Sequence, residues 1–376
     1  MGVDGTDGRY LASRMTTFDY DARIEKCRRA MAVRGVDAML LSIGADLPYL
    51  IGYEATPLER LTMLILTGSD ATLIVPELEE PRVGPGPARV VAWPDGTNPI
   101  SIVANLVGAA SHIALGDKTW STFLLALQQA SPGVSWSLAS GITGPLRQVK
   151  DKAEIEALAA AGAAADRVAA RLGTEVDFEG MSETVLARRV AEMVVAEGHD
   201  LAWDPIVASG PNGASPHHEP GERVIERGDL VVIDFGGRVS GYYSDTTRTF
   251  AVGEPTAEQK EIYEVVRAAN QAGRDAVRPG VAAEEIDRAS RSLIDDAGYG
   301  AYFIHRTGHG IGLEVHEHPY IVESNNQTLE PGMAFSVEPG IYLPGRFGVR
   351  IEDIVVVTDD GARDLNAFNR GLVVVG

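Results

Sequence analysis

Two histidines stand in a glycine-rich stretch towards the C-terminus. Residues 308–317 read Gly-His-Gly-Ile-Gly-Leu-Glu-Val-His-Glu, with imidazoles at His309 and His316. Glycine permits close backbone approach, and a neutral imidazole can bind a metal ion or carry a proton near neutral pH. On this stretch alone, a loop with two incidental histidines is an equally good interpretation, so the rest of the chain must decide.

Four acidic residues lie in or beside strongly apolar segments that read as strands. Asp234 ends the run Leu-Val-Val-Ile, and Glu338 ends Ala-Phe-Ser-Val. Asp245 lies in Tyr-Tyr-Ser-Asp-Thr-Thr-Arg-Thr-Phe, and Glu352 precedes Asp-Ile-Val-Val-Val. A carboxylate in such a strand is costly unless it is paired or bound to a cation. Any single one could be a strand end in solvent or an acid paired with an arginine.

The acids recur in an internal repeat. Residues 226–236 carry Glu, Gly, Asp and Gly in the same order and spacing as Glu, Gly, Glu and Gly in residues 330–340, and the offset between the copies is 104. Each copy follows two predicted helices and a segment with a histidine, His217 or His316. The pattern predicts a duplicated unit of helices and antiparallel strands with pseudo-two-fold symmetry, and acids from both halves at the junction.

Four carboxylates and one imidazole suit two divalent ions better than one. Oxygen-rich ligation favours Mn²⁺, with Co²⁺, Fe²⁺ or Zn²⁺ as alternatives, whereas a structural Zn²⁺ would be expected to use thiolates. Two ions about 3.5–4 Å apart can activate water and polarise a carbonyl group. The residues therefore predict metal-assisted hydrolysis of an amide.

Composition excludes several classes of partner. The chain has 376 residues, a formal net charge of −20 and one cysteine, Cys27. The acidic balance argues against nucleic acid or an anionic membrane surface, and no apolar run approaches the roughly 18 residues of a membrane span. A single cysteine allows no intramolecular disulfide and fits a cytoplasmic protein. Cys27 lies in an amphipathic pattern and is expected to be a packed thiol.

The pattern of elements divides the chain into a tail and two domains. Residues 1–16 are rich in Gly and Asp and read as a flexible tail. Residues 17–145 alternate short strands with helices, which predicts a smaller α/β domain that ends at the Gly- and Pro-containing segment 141–145. Residues 146–376 begin with a long Ala- and Glu-rich helix and contain the repeat, which predicts an α+β domain.

These motifs resemble those of the pita-bread metallopeptidases, the family of methionine aminopeptidase, aminopeptidase P, prolidase and creatinase. The matching segments are Val-Ile-Asp-Phe-Gly-Gly, Ser-Asp-Thr-Thr-Arg-Thr-Phe, residues 308–317, Val-Glu-Pro-Gly-Ile-Tyr and Arg-Ile-Glu-Asp, in the family's order. The first domain resembles the creatinase/prolidase type, which methionine aminopeptidases lack. The resemblance implies the pita-bread fold and cleavage of the Xaa-Pro bond at the N-terminus of dipeptides or short peptides. It also implies a homodimer.

The resemblance assigns metal ligands residue by residue. Asp234 would bind one metal ion, and His309 and Glu338 would bind the other. Asp245 and Glu352 would bridge both. All five positions hold residue types that can ligate a metal.

The resemblance also implies residues for substrate and proton handling. His217, rather than the adjacent His218, would bind substrate and assist proton transfer. His316 would hydrogen-bond the scissile amide, and Glu338 would accept a proton from the attacking water. Arg350 would orient the carboxylates from behind the metal ligands.

One position departs from the family pattern. Many prolidases carry an arginine four residues after the position of His316, where it reads the free carboxylate of a dipeptide, and this chain has Tyr320 there. Arg306 or Arg346 could supply the charge instead, and Tyr342 is a further candidate for the substrate pocket. The departure keeps an Xaa-Pro aminopeptidase open beside the favoured Xaa-Pro dipeptidase.

Two alternative functions are compatible with the same fold. One is a creatinase-like hydrolase that works without metal, and the other is a non-catalytic binding protein. Relatives of both kinds typically lack some of the acidic ligands or active histidines, and this chain retains them all.

Overall fold

The computed structural model describes residues 18–376, so the tail predicted at residues 1–16 lies outside the described residues. The first domain is a mixed sheet with helices on both faces. Its strands are β1 (Ala38–Leu41), β2 (Met63–Thr67), β3 (Ala71–Pro76), β4 (Arg89–Trp93), β5 (His112–Leu115) and β6 (Ser135–Leu138). Its helices are α1 (Tyr20–Val33), α2 (Asp46–Ile51), α3 (Pro99–Val107), α4 (Ser121–Ala130) and α5 (Ser140–Gln148). A short 3₁₀ helix follows β3 at Glu77–Arg82.

The central strand β1 is buried on both faces, as the apolar sequence Ala-Met-Leu-Leu requires. The sheet order is β4-β3-β2-β1-β5-β6, with β1 antiparallel to β2 and parallel to β5. Met39 and Leu41 pack in a core with Cys27 of α1, whereas Ala38 and Leu40 pack in a second core with α3 and α4. Burial raises the pKa of the Cys27 thiol to about 12, which agrees with the predicted packed thiol.

The sequence does not predict α2 or α5. The segment from Gly141 to Pro145, which the sequence places at the domain boundary, lies inside α5. Ile142 of this helix is buried in the core that contains α1, so tertiary packing overrides the local effect of glycine and proline. α5 ends at Gln148, and the next helix begins at Lys152.

The second domain contains the remaining elements. Its helices are α6 (Lys152–Glu175), α7 (Glu183–Ala196), α8 (Ala257–Ala276) and α9 (Ala283–Asp296). Its strands are β7 (Leu201–Ala202), β8 (Ile206–Ser209), β9 (Leu230–Val239), β10 (Tyr242–Val252), β11 (Gly308–Gly310), β12 (Glu317–Ile321), β13 (Ala334–Val337), β14 (Gly340–Leu343), β15 (Phe347–Arg350), β16 (Asp353–Val357), β17 (Ala362–Asp364) and β18 (Val373–Val375). Two 3₁₀ helices lie at Gly210–Ala214 and Gly300–Tyr302.

The predicted repeat is visible in this domain. One sheet has the order β18-β10-β9-β7, with β8 also on β9, and the other has the order β12-β11-β13-β16-β17; β14 and β15 form a hairpin. Helices α6 and α7 precede the antiparallel pair β9–β10, and α8 and α9 precede the pair β13–β16. The isolated bridge between residues 182 and 224 is matched by one between residues 282 and 328. The duplicated α+β class is thus confirmed.

Helix starts follow the local sequence closely. The predicted capping box at Thr256 and Gln259 opens α8, and a second one, Asp151 with Glu154, opens α6. Each box satisfies two backbone N–H groups that the first helical turn leaves free. Within residues 18–376, no helix is both long and apolar enough to cross a membrane.

Close approach of β11 to β13 depends on Gly308. A Cβ atom at this position would lie 1.9 Å from the carbonyl oxygen of Ser336, so the backbone would have to move. We expect Gly308→Ala to lower the free energy of unfolding by about 1–3 kcal/mol, the usual effect of overpacking. Urea denaturation measures this change. Gly361→Ala is the control, since its Cβ would meet no atom within 4 Å; equal stability of both variants would contradict the prediction.

Candidate metal centre and active site

The five predicted metal ligands converge from both halves of the repeat. Asp234 on β9 and Asp245 on β10 are diagonal neighbours on one face of the hairpin, because Thr247 pairs with Asp234 and Gly236 with Asp245. Such diagonal residues lie within reach of each other. The other three residues come from the second half: His309 on β11, Glu338 directly after β13 and Glu352 directly before β16.

The donor atoms of these residues form overlapping groups. One group contains Asp234, Asp245 and Glu352, and another contains His309, Glu338 and Glu352; within each, one donor atom per residue lies within 4.8 Å of the others. A third group joins Asp245 and His309 to the exposed His316. Donor sets that share members in this way are what two neighbouring ions require.

The imidazole of His309 is oriented as a ligand. Its Nδ1 lies 3.1 Å from the carbonyl oxygen of Gly310 and can donate to it. Its Nε2 lies 3.5 Å from Asp245 Oδ2 and 3.3 Å from Glu338 Oε1. Burial, and then the nearby His316, lower the pKa of His309 to about 3. The neutral ring therefore directs a lone pair at two carboxyl groups, an arrangement that a cation between them would satisfy.

Two buried carboxylate oxygens among the described residues have no hydrogen-bond partner, Oδ1 of Asp234 and Oε1 of Glu352. The second oxygen of each group is held firmly. Arg350 Nη2 donates to Asp234 Oδ2 at 2.8 Å, and Thr247 Oγ1 donates to Glu352 Oε2 at 2.7 Å. Buried polar atoms without a partner are costly. The residues present therefore fit a pair of divalent cations.

The pKa values of the carboxyl groups in the metal-free protein also indicate a cation site. Burial first, and then repulsion from neighbouring carboxylates, raise the pKa values of Asp245 and Glu352 well above their usual range. Burial also raises the pKa of Glu338 to about 7, although the charge of Arg350 opposes this effect. The cluster would hold protons near neutral pH unless metal ions replaced them.

Arg350 supports the cluster through a chain of hydrogen bonds. Its Nε donates to Thr247 Oγ1 at 3.0 Å, and its Nη1 donates to Tyr342 Oη at 3.1 Å.

His305 continues this chain of hydrogen bonds as a neutral imidazole. Burial lowers the pKa of His305 to about 4, and the Nδ1 of His305 donates to the Arg306 carbonyl at 2.7 Å. His305 Nε2 therefore accepts from the Tyr342 hydroxyl at 2.8 Å.

A cavity of about 530 Å³ opens over the cluster. All five predicted ligands line it, together with His217, His316 and Arg350. Trp203, Asp204, His305 and Arg306 are the other polar and aromatic residues that line it. Tyr320 and Tyr342 do not line it and lie behind residues that do, Arg306 and Arg350 respectively.

The two adjacent histidines of the loop after β8 have different surroundings. His218 Nε2 lies 2.7 Å from Glu183 Oε2, whereas His217 lines the cavity. Glu183 also accepts from the backbone and hydroxyl of Ser209, at 2.8 and 2.7 Å, and from the backbone N–H of Gly221 at 3.2 Å. The sequence interpretation did not find Glu183, which ties down both ends of this loop.

The segment carrying His316 forms ion pairs with the end of α5 and with the residues that directly follow it, and the sequence interpretation missed these contacts too. Arg147 Nη2 lies 2.6 Å from both Glu314 Oε2 and Glu317 Oε2. Lys150 Nζ lies 2.6 Å from Glu317 Oε1. Burial disfavours ionisation of Glu314, but Arg147 and Lys118 together outweigh this effect and the pKa of Glu314 is lowered. His316 is thus bracketed by two anchored acids.

Comparison with known proteins gives the family. The model of metallopeptidase family M24 matches residues 156–359, and that of the creatinase/prolidase N-terminal domain matches residues 23–149. The chain belongs to metallopeptidase family M24. The predicted pita-bread metallopeptidase resemblance and enzyme class are thereby confirmed.

Three similar family members span nearly the whole chain. The probable dipeptidase PepE of Mycobacterium tuberculosis is 45% identical over 364 residues, covering 95% of this chain and 96% of that protein. An Xaa-Pro dipeptidase of Lactobacillus delbrueckii subsp. lactis is 36% identical over 366 residues, with 94% and 98% covered. The crystal structure of a prolidase from Thermococcus sibiricus has a TM-score of 0.91 at 40% identity, with 96% and 100% covered.

Metal binding by this M24 metallopeptidase should release protons. Without metal, the folded state holds a proton on Glu338 that the unfolded state has already lost, so this group lowers the stability as pH rises from about 4.5 to about 7. The raised pKa values of Asp245 and Glu352 act in the same direction. Metal needs ionised carboxylates, so we expect its affinity to rise over the same window. Calorimetry of Mn²⁺ binding at pH 6 and pH 8, in buffers of different ionisation enthalpy, measures the protons released. Equal release at both pH values would contradict this.

Loss of the Arg147 ion pairs should affect catalysis through His316. Arg147→Gln removes one of the two basic partners of each acid and leaves Glu314 with Lys118 and Glu317 with Lys150. We expect kcat/KM for peptide cleavage to fall about 10- to 100-fold as His316 loses its fixed position. The matched control is Glu54→Gln, which breaks another contact between the domains, Arg238 Nη1 to Glu54 Oε1 at 2.8 Å. A fall in thermal stability alone, with kcat/KM unchanged, would show that Arg147 has only a structural role.

Proposed function

We propose that this M24 metallopeptidase is an Xaa-Pro dipeptidase with two divalent metal ions. The observation that carries the proposal is the convergence of Asp234, Asp245, His309, Glu338 and Glu352. It leaves two buried carboxylate oxygens without hydrogen-bond partners and directs the imidazole of His309 at two carboxyl groups. The names of the relatives support the substrate class, since they include an Xaa-Pro dipeptidase and a prolidase.

In the proposed site, Asp234 would hold one ion and His309 and Glu338 would hold the other, with Asp245 and Glu352 available to both. The oxygen-rich donor set favours Mn²⁺. When bound, the ions supply Lewis acidity that activates water and polarises the scissile carbonyl. Arg350 keeps Asp234 in place by its ion pair and relays no proton of its own, because a guanidinium stays charged.

The remaining residues handle protons and substrate. Glu338 accepts the proton of the attacking water. The bond before proline is a tertiary amide, so its nitrogen has no hydrogen and must gain one to leave. His217 supplies that proton. Burial, and then Arg306, lower the pKa of His316, so its neutral ring donates a hydrogen bond to the amide oxygen.

The proposal also includes the compartment, the oligomeric state and the partners of the enzyme. A single buried thiol, Cys27, suits the reducing cytoplasm, and the family resemblance supports a homodimer. Short peptides that contain proline are the proposed partners.

Replacement of a shared ligand tests the mechanism. We expect Asp245→Ala to lose Mn²⁺-dependent cleavage of Xaa-Pro dipeptides by at least about 100-fold, because even partners behind metal ligands cost 10- to 100-fold when removed. Elemental analysis should show loss of bound metal as well. Asp359→Ala, in an exposed loop, is the control and should match the wild type.

Retained activity in Asp245→Ala would refute the two-metal mechanism and favour a metal-independent hydrolase. If the wild type cleaves no Xaa-Pro peptide with Mn²⁺, Co²⁺ or Zn²⁺ supplied, the protein is not a proline-specific peptidase. Cleavage of Xaa-Pro-Yaa tripeptides in preference to dipeptides would identify an Xaa-Pro aminopeptidase, the second candidate. Tyr320 keeps this candidate open because it stands in place of the arginine of many prolidases.

A further inference from the structure

Arg306 is a charged residue in the wall of the active-site cavity. It lines the cavity together with the candidate metal ligands and lies three positions before His309 on the chain. Its side chain is half-buried, and its guanidinium carbon lies 4.3 Å from the centre of the Tyr320 ring. The aromatic ring supports a flat cation at this position.

The surroundings of Arg306 differ from those of Arg350, the other arginine in the cavity wall. Arg350 makes an ion pair with Asp234 and three further hydrogen bonds. In the part of the chain that the structure describes, no carboxylate pairs with Arg306 and its guanidinium donates no hydrogen bond. A half-buried guanidinium with five free donors in a cavity suits an anion that arrives with the substrate.

The other candidate from the sequence, Arg346, is in a different place. It does not line the cavity, and it forms an ion pair with Glu258 on the exposed surface of α8. Of these two arginines, only Arg306 can meet a substrate held at the metal centre.

We propose that Arg306, stacked on Tyr320, binds the free C-terminal carboxylate of a dipeptide substrate. This inference rests on the proposed Xaa-Pro dipeptidase function. It identifies the C-terminus as the end of the substrate that Arg306 recognises. A guanidinium and a carboxylate match each other in shape and can form two parallel hydrogen bonds.

The assignment has a consequence for substrate length. In a dipeptide, the carboxylate belongs to the residue directly after the scissile bond. In a tripeptide it moves about 3.5 Å further along the chain, and a neutral amide takes its place opposite Arg306. Arg306 therefore selects dipeptides over longer peptides.

Comparison of a dipeptide with its C-terminal amide tests the proposal. For Arg306→Gln we expect kcat/KM on Ala-Pro to fall about 10- to 100-fold, the range for losing a hydrogen bond to a charged group, with little change on Ala-Pro amide. Arg306→Lys should recover part of the loss on Ala-Pro, since it keeps the charge but not the fork of donors. Arg346→Gln is the matched control and should behave as the wild type on both substrates.

The results of these experiments distinguish failure of this inference from failure of the proposed function. Suppose that the wild type cleaves Ala-Pro, and that Arg306→Gln lowers kcat/KM on Ala-Pro and on Ala-Pro amide equally or changes neither. Arg306 then does not bind the carboxylate, and the dipeptidase proposal stands. If the wild type cleaves neither substrate, the proposed function fails. Binding of proline and prolinamide by calorimetry needs no cleavage: a preference for proline that Arg306→Gln abolishes supports the inference, and an unchanged preference overturns it.

Discussion

A cluster of buried carboxyl groups, which bound cations would stabilise, lies at the centre of this metallopeptidase. Asp234, Asp245, Glu338 and Glu352 crowd into one space, and their burial raises the pKa values of the last three. Arg350 makes the one direct ion pair with the group among the described residues, through Asp234. The second domain supports an arrangement that is unfavourable in the bare protein, because its paired strands and the hydrogen bonds behind them hold the carboxyl groups together.

The acids could be predicted from the sequence because their signal is local. A carboxylate after a run such as Leu-Val-Val-Ile is conspicuous by itself, and the repeat at an offset of 104 shows that Asp234 and Glu338 are equivalent. The preference for His217 over His218 depended on the family motif alone. In the structure, Glu183 on α7 contacts His218 from 35 residues away along the chain, and no local pattern reveals that contact.

Other features could not be predicted because they depend on distant parts of the chain. Arg147 reaches Glu314 and Glu317 across separations of 167 and 170 residues. The helix that presents Arg147 runs through Pro145, and the local sequence argues for a loop there. Packing against the first core outweighs that preference, so only the folded chain shows that the smaller domain contributes to holding the segment of His316.

The duplication of the second domain has a consequence for how the centre assembles. Asp245 comes from the first half of the repeat and Glu352 from the second, and in the proposed site both residues would contribute to both ions. Neither half alone carries a complete coordination sphere. A molecule whose halves have not docked would therefore bind neither ion well, and the metal content of a preparation measures the fraction of correctly folded chains as much as it measures cofactor supply.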